Sequence, residues 1–237
     1  MKFYSKTHKG KIRKGNEDSI YSGEFFAVVA DGMGGHNAGD IASSLVVDAI
    51  EQAFNDKNPD EVTPRDIKKA LSVANKRVWS NAKHNAEREG MGSTATLAVF
   101  KDSKVMIGQV GDSRAYLYRK GALSQITKDH SYVQSLVDSG QITKDEAFAH
   151  PLRNIITRAI GTNINVDTDF FVQDIVSGDL ILLCSDGLIS CVSDDEISSI
   201  LQRDLSTAAD RLVDAALKCG GKDNISVIIA SVEGDQS

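Results

Sequence analysis

The sequence predicts a mixed helix-and-strand domain built around a sheet that is buried on both faces. Three observations carry that expectation. Several apolar runs of strand length are too continuous to leave one face in water. At least four segments repeat apolar residues at helical spacing. The 237 residues contain no repeat, no low-complexity segment and no linker rich in Pro, Gly or Ser, so a single domain over 1–237 is expected. Whether helices or a second sheet cover the first stays open at this level.

Taken in chain order, Ser19-Ile20-Tyr21 reads as a strand and Phe25-Phe26-Ala27-Val28-Val29 as a buried one. A helix follows, with Ile41, Leu45, Val46, Ala49, Ile50 and Phe54 on one stripe. The next opens at Thr63-Pro64, where proline suits a first helical position, and carries Ile67, Ala70, Leu71, Ala74 and Val78. Thr96–Phe100 and Val105–Ile107 are further buried strands. The stretch from His130 to Gly161 mixes short helical patterns with Pro151 and polar residues, and reads as an excursion over one sheet edge. Leu180–Leu183 is again a buried strand. Ser193-Asp194-Asp195-Glu196 has capping-box spacing ahead of Ile197, Ile200 and Leu201. A last helix with Ala209, Leu212, Val213 and Ala216 stops at Gly220-Gly221, and Ile225–Ile229 closes the set of buried strands.

Bulk composition excludes several function classes. The formal charge of −6, without a basic stripe, speaks against a nucleic-acid binder. No segment reaches the roughly 20 apolar residues that span a bilayer, and the N-terminus lacks a signal-peptide core, so a cytoplasmic protein without membrane attachment is expected. Cys184, Cys191 and Cys219 are too few and too irregular for a disulfide framework or structural zinc, and reduced thiols are expected.

The chemistry sits where strands meet turns. Ala30-Asp31-Gly32, Gly111-Asp112-Ser113 and Ser185-Asp186-Gly187 each end an apolar strand, and Lys222-Asp223-Asn224 precedes a fourth. Any one of these is an ordinary turn, because Asp bonds its own backbone and Gly accepts positive φ. Strands of one core, however, bring distant acids to one edge, where uncompensated carboxylates repel and call for a cation. Oxygen-only ligation suits Mg²⁺ or Mn²⁺. Asn16-Glu17-Asp18 adds a further acidic element beside a strand. Two such ions about 3.5–4 Å apart polarise phosphate oxygens and activate a water, with Asp31 as the natural bridge. Arg13, three residues before Asn16, is the candidate guanidinium for a phosphoryl group.

In order along the chain stand Arg13-x-x-Asn16-Glu17-Asp18, Ala30-Asp31-Gly32-Met33-Gly34-Gly35-His36, Gly92-Ser93-Thr94-Ala95, Gly111-Asp112-Ser113-Arg114, Ser185-Asp186-Gly187-Leu188 and Asp223-Asn224-Ile225-Ser226. This set resembles the metal-dependent protein phosphatase family, the type 2C protein serine/threonine phosphatases, in its compact bacterial form, from about Lys6 to Val232. The resemblance implies an α+β fold, a four-layer α-β-β-α sandwich of two antiparallel sheets flanked by helices, with metals at one end. It implies that Asp31 bridges two metals, with the Gly32 carbonyl and Glu17 on one and Asp186 and Asp223 on the other. Asp112, with Asp186, would hold a third ion, giving two or three Mn²⁺ or Mg²⁺ per chain.

By the same resemblance, Asp18 orders metal-bound water, Arg13 binds the phosphate, and residues 130–161 form a flap that meets protein substrates. Hydrolysis of phosphoserine and phosphothreonine would be one in-line displacement by metal-activated water, without a phosphoenzyme. The implied partners are phosphorylated proteins, a serine/threonine kinase and its targets among them, and a monomer is the default. Many relatives place a histidine directly after the Asp-Gly pair as general acid. Here Met33 holds that position, and His36 is the nearest imidazole suited to proton transfer. Two rivals stand beside this reading. A phosphatase-like binding module would lack the acidic ligands this chain retains, and a two-metal nuclease would need a surface that follows a polyanion.

Overall fold

The structure, a computed structural model, describes residues 1–34 and 38–233. Strands β1 (Lys2–His8), β2 (Asp18–Ser22) and β3 (Phe26–Met33) lead into helices α1 (Gly39–Phe54) and α2 (Pro64–His84). β4 (Gly92–Ser93), β5 (Ala95–Lys101), β6 (Lys104–Val110), β7 (Arg114–Arg119) and β8 (Ala122–Gln125) follow, then the short helices α3 (Tyr132–Asp138) and α4 (Lys144–Ala149). The chain continues through β9 (Asp169–Asp174), β10 (Leu180–Cys184), α5 (Asp186–Ile189), α6 (Asp194–Leu201), α7 (Ala208–Lys218) and β11 (Ile225–Ser231). Every buried strand and amphipathic helix expected from periodicity is present.

The strands form two antiparallel sheets, one in the order β1-β11-β10-β7-β8 and the other β2-β3-β5-β6-β9, with β4 added beside β3. Alternation along β3 shows how they stack. Phe26, Val28 and Ala30 point into a core shared with Ile50, Phe54, Ile67 and Leu71 of α1 and α2. Ala27 and Val29 point the other way, onto Leu117, Ile181, Leu183 and Ile228 of the opposite sheet. That second sheet in turn buries Leu182, Val227 and Ile229 against Leu188, Leu212 and Val213. A second sheet therefore covers the first. The layers run helix, sheet, sheet, helix, and the strands read as continuously apolar because each face meets a different core.

Local chemistry explains the helix ends. Thr63 and Asp66 form a reciprocal capping box, and Pro64 opens α2. Ser193 Oγ accepts the Glu196 amide at 3.3 Å to start α6. After α7, Gly221 takes φ +55° and its amide closes onto the Ala216 carbonyl at 3.0 Å.

Three features depart from the sequence reading. β1 and β8 are strands that mix polar and apolar residues, and β7 and β9 are strands built on only the short apolar runs Ala115–Tyr118 and Phe170–Val172. β3 does not stop at Asp31 but continues to Met33 by changing partner, pairing β5 as far as Val29↔Thr96 and then β4 at Gly32↔Ser93. Finally, Cys191 and Cys219 are joined in a disulfide, not left as separate thiols, because α5 and α7 pack side by side. Cys184 is a free, buried thiol. Among the described residues, no helix is long and apolar enough to cross a membrane.

Candidate active site

The acids converge at one end of the sandwich because both sheets deliver their turns there. Asp18 begins β2 and lies directly opposite Asp31 of β3. Asp112 follows β6, Asp186 opens α5 where β10 ends, and Asp223 stands two residues before β11. Like charges opposite one another across a ladder are destabilising, so this register is costly unless protons or a cation intervene.

Their mutual effect shows in the direction in which their acidity shifts. Burial, followed by the charges of Asp18, Asp186, Asp112 and Asp223, lifts Asp31 well above the usual carboxylate range. Asp112 is raised to about 8 by burial and by Asp186 and Asp129, and Asp186 to about 6 by burial and Asp223. Asp18 is raised to about 7, chiefly by burial, even though Ser226 and Ser185 both donate to it.

Each acid has a defined support. The Ser185 hydroxyl donates to Asp18 Oδ2 at 2.8 Å and Ser226 to the same oxygen at 2.6 Å. The Asp31 amide donates to Thr94 Oγ1 at 2.9 Å, while its carbonyl accepts the Thr94 amide at 2.8 Å. Thr94 in turn shares a 2.7 Å hydrogen bond with Ser113, next to Asp112. Asp223 Oδ1 accepts the Asn224 amide at 2.8 Å and its Oδ2 accepts Arg13 at 2.9 Å. Arg13 is thus seated among acids: burial works against its charge, but Asp223, Glu17 and Asp31 raise its pKa.

Glu17 is held by its backbone. Its amide donates to Asn224 Oδ1 at 2.8 Å and its carbonyl accepts the Gly32 amide at 3.0 Å. A Cβ on Gly32 would lie 2.0 Å from the Gly39 carbonyl oxygen, and one on Gly39 would lie 2.9 Å from the Glu17 carboxylate. Only glycines let β3, the start of α1 and Glu17 approach this closely. Burial raises the Glu17 carboxyl as well.

These donors fit a hard divalent cation. Asp18 Oδ1 and Asp186 Oδ1 are buried and have no hydrogen-bond partner among the described residues, which is the signature of a group built for something other than protein. Among the described residues no three Asp, Glu, His or Cys side chains close into a ready-made cage. The donor set is all oxygen, which suits Mg²⁺ or Mn²⁺, ions that complete an octahedral shell with water. Asp31, Asp112, Asp186 and Asp223 therefore share one neighbourhood, Glu17 and Arg13 flank it, and His36 lies outside the described residues.

Sequence reading left three supports without a role. Asn224 Nδ2 donates to the carbonyls of Lys9 and Gly15 at 3.0 and 2.9 Å, tying the Arg13 and Glu17 loop to the start of β11. Ser185 and Ser226 hold Asp18 from the other sheet. The available signal was a polar residue at an otherwise buried position in an apolar stretch.

Beside the acids a cavity of about 560 Å³ runs from Asp112 and Asp186 to Phe148 and Arg153 of the 130–161 excursion. Two bridges anchor that excursion, Ser131↔Ile156 and Ser93↔Ile160. His130 fastens its base, exchanging backbone hydrogen bonds with Thr157 and Gly111 while its Nδ1 accepts the Gly111 amide at 3.0 Å. α4 exposes Phe148 at this cavity, and α3 exposes Tyr132.

Comparison with known proteins gives the same picture over almost the whole chain. A family profile described as "Protein phosphatase 2C" matches residues 14–220. The chain is 39% identical over 233 residues to "Serine/threonine protein phosphatase PstP" of Mycobacterium tuberculosis, an alignment covering 98% of this chain and 45% of that protein. It thus spans less than half the length of that relative. Against "Serine/threonine phosphatase stp" of Listeria monocytogenes it is 39% identical over 237 residues, covering 94% of this chain and 93% of the other. Among solved structures, the M. tuberculosis phosphatase PstP/Ppp superposes with a TM-score of 0.94 at 39% identity, covering 98% and 99% of the two chains. The catalytic domain of PstP in complex with two manganese ions superposes with a TM-score of 0.91 at 37% identity, covering 98% of each.

Proposed function

Since this chain belongs to the protein phosphatase 2C family, we propose that it is a metal-dependent protein serine/threonine phosphatase acting on phosphoserine and phosphothreonine. The observation that carries this reading is the set of mutually repelling carboxylates, two with orphaned oxygens, gathered under an arginine. Bound cations relieve repulsion of that kind without protonating the acids, and a guanidinium beside it has a natural anion in a phosphoryl group.

Asp31, Asp186, Asp223, Glu17 and the Gly32 carbonyl are the residues that would hold two ions, with Asp112 and Asp186 available to a third. When bound, Mn²⁺ or Mg²⁺ would neutralise developing charge on phosphate oxygens and supply a nucleophile at neutral pH. The protein's own share is positioning. Arg13 presents a charged fork to the equatorial phosphate oxygens. Asp18, held by Ser185 and Ser226 with one oxygen free, is placed to accept a hydrogen bond from a water in the site. The cavity toward Phe148 and Arg153 offers room for the peptide around the phosphorylated residue, which suits the 130–161 excursion to a substrate-facing flap. His36, as a proton donor, extends the same reading.

The two sheets share one inter-sheet core, which supports treating 1–237 as one catalytic domain. The names of the bacterial relatives support phosphorylated proteins as substrates, and a serine/threonine kinase and its targets are proposed among them. A cytoplasmic monomer completes the proposal. The test is hydrolysis of a phosphothreonine peptide, run beside a nuclease assay. Activity should require Mn²⁺ or Mg²⁺, vanish with EDTA, and vanish again in Asp31→Ala. Peptide hydrolysis that survives either treatment would sink the reading, and metal binding without hydrolysis would favour a binding module.

A further inference from the structure

The disulfide between Cys191 and Cys219 joins the two segments that carry Asp186 and Asp223. Cys191 lies just past α5, five residues after Asp186, and Cys219 caps α7, four residues before Asp223. Their Cα atoms are 6.1 Å apart, within the range a disulfide spans, and the bond closes a separation of 28 residues.

The same two segments touch at their other ends. A Cβ on Gly187 would lie 1.9 Å from the Asn224 carbonyl oxygen, so the first turn of α5 rests directly on the backbone beside Asp223. Between these contacts, Leu188 packs with Leu212, Val213 and Ala216 in the core beneath the helices. The result is a closed ring in which non-covalent packing holds the acids and a covalent bond ties the opposite side.

The pair is also placed to change state. Cys219 is exposed and Cys191 is partly so, which lets small oxidants and reductants reach the bond. Cys219 Sγ lies 3.5 Å from the Cys191 carbonyl oxygen, an acceptor ready for the reduced thiol. The packed core under α5 and α7 keeps the sulfurs adjacent after reduction. Cys184 is the contrast, fully buried in the same core.

We infer that Cys191 and Cys219 form a reversible thiol–disulfide modification site, whose oxidised form fixes Asp186 relative to Asp223 and tightens divalent-cation binding. The oxidant is a hydroperoxide. The Cys219 thiolate attacks one peroxide oxygen, forming a sulfenic acid and releasing water, and the Cys191 thiolate then displaces hydroxide from that sulfur. Two thiols lose two protons and two electrons, and hydrogen peroxide becomes two waters. A dithiol reductant reverses the change by exchange through a mixed disulfide.

This inference rests on the metal-site reading above, and its test separates the two. The intact chain is treated with hydrogen peroxide or with a phosphine reductant, desalted, mapped by non-reducing peptide mass spectrometry and titrated with Mn²⁺ by calorimetry. Peroxide should yield a single linked peptide pair, Cys191 with Cys219, leaving Cys184 alkylatable only after unfolding. The oxidised chain should bind Mn²⁺ about threefold or more tightly than the reduced one, the gain expected from pre-organising two ligands. Cys191→Ser and Cys219→Ser should match the reduced chain whether or not peroxide is added. Thiols that stay unlinked after peroxide, or equal Mn²⁺ affinity in the two states, would overturn the inference alone. Absence of Mn²⁺ binding in both states would overturn it together with the metal-site reading.

Discussion

Ser226 on one sheet donates a 2.6 Å hydrogen bond to Asp18 Oδ2 on the other, stitching the sandwich together at its acidic end. Ser185, just past the end of β10, the strand next to β11, donates to the same oxygen. Hydrogen bonds to a charged, buried acceptor are among the stronger ones, worth about 1.5–3 kcal/mol. Ser226→Ala is therefore expected to lower unfolding stability by about 2 kcal/mol, read as a reduced urea midpoint. Ser185→Ala together with Ser226→Ala should cost less than the sum of the singles, because both act on one oxygen. Strict additivity would show that Asp18 is not the shared partner.

Asp31 is expected to trade stability for function. Its carboxyl is raised by burial and by four surrounding acids, so removing its charge relieves repulsion in the metal-free protein. With EDTA present, Asp31→Asn should raise Tm by a few degrees, on the order of 1 kcal/mol, while wild-type chain gains more than the variant when Mn²⁺ is added. Phosphatase activity of the variant should fall by about 10²-fold or more. Differential scanning with and without Mn²⁺ reads the first effect, and a variant that melts lower than wild type in EDTA would contradict it.

Asp66 supplies a pH-dependent term far from the acidic site. Lys57 and the Thr63 hydroxyl and amide hold its carboxyl below the usual carboxylate range. A depressed folded pKa gives stability that is present above the unfolded value of about 3.9 and disappears as pH falls through the folded one. Asp66→Asn should thus cost about 1 kcal/mol near neutral pH, in line with loss of a helix cap, and progressively less as pH falls below ~3.9. Urea titrations of both proteins across that range test the sign, and a cost that grows on acidification would refute it.

By itself the sequence determined the buried strands, because their apolar runs leave no choice of environment. It also determined the amphipathic helices with their capping and stop residues, and the acidic motifs that carry Asp31, Asp112, Asp186 and Asp223. These are local properties, legible because each depends on residues a few positions apart. Strand periodicity left open whether a second sheet or only helices cover the first, since a period of two says that a face is buried but not by what; the family resemblance implied the second sheet, and the structure shows it. Tertiary structure alone decided the register that sets Asp18 against Asp31, the reach of Ser185 and Ser226 to Asp18, and the span of Asn224 from β11 to the Arg13 loop. The cysteines show the limit most clearly. Nothing in a separation of 28 residues marks Cys191 and Cys219 as partners, and only the packing of α5 on α7 brings their sulfurs together.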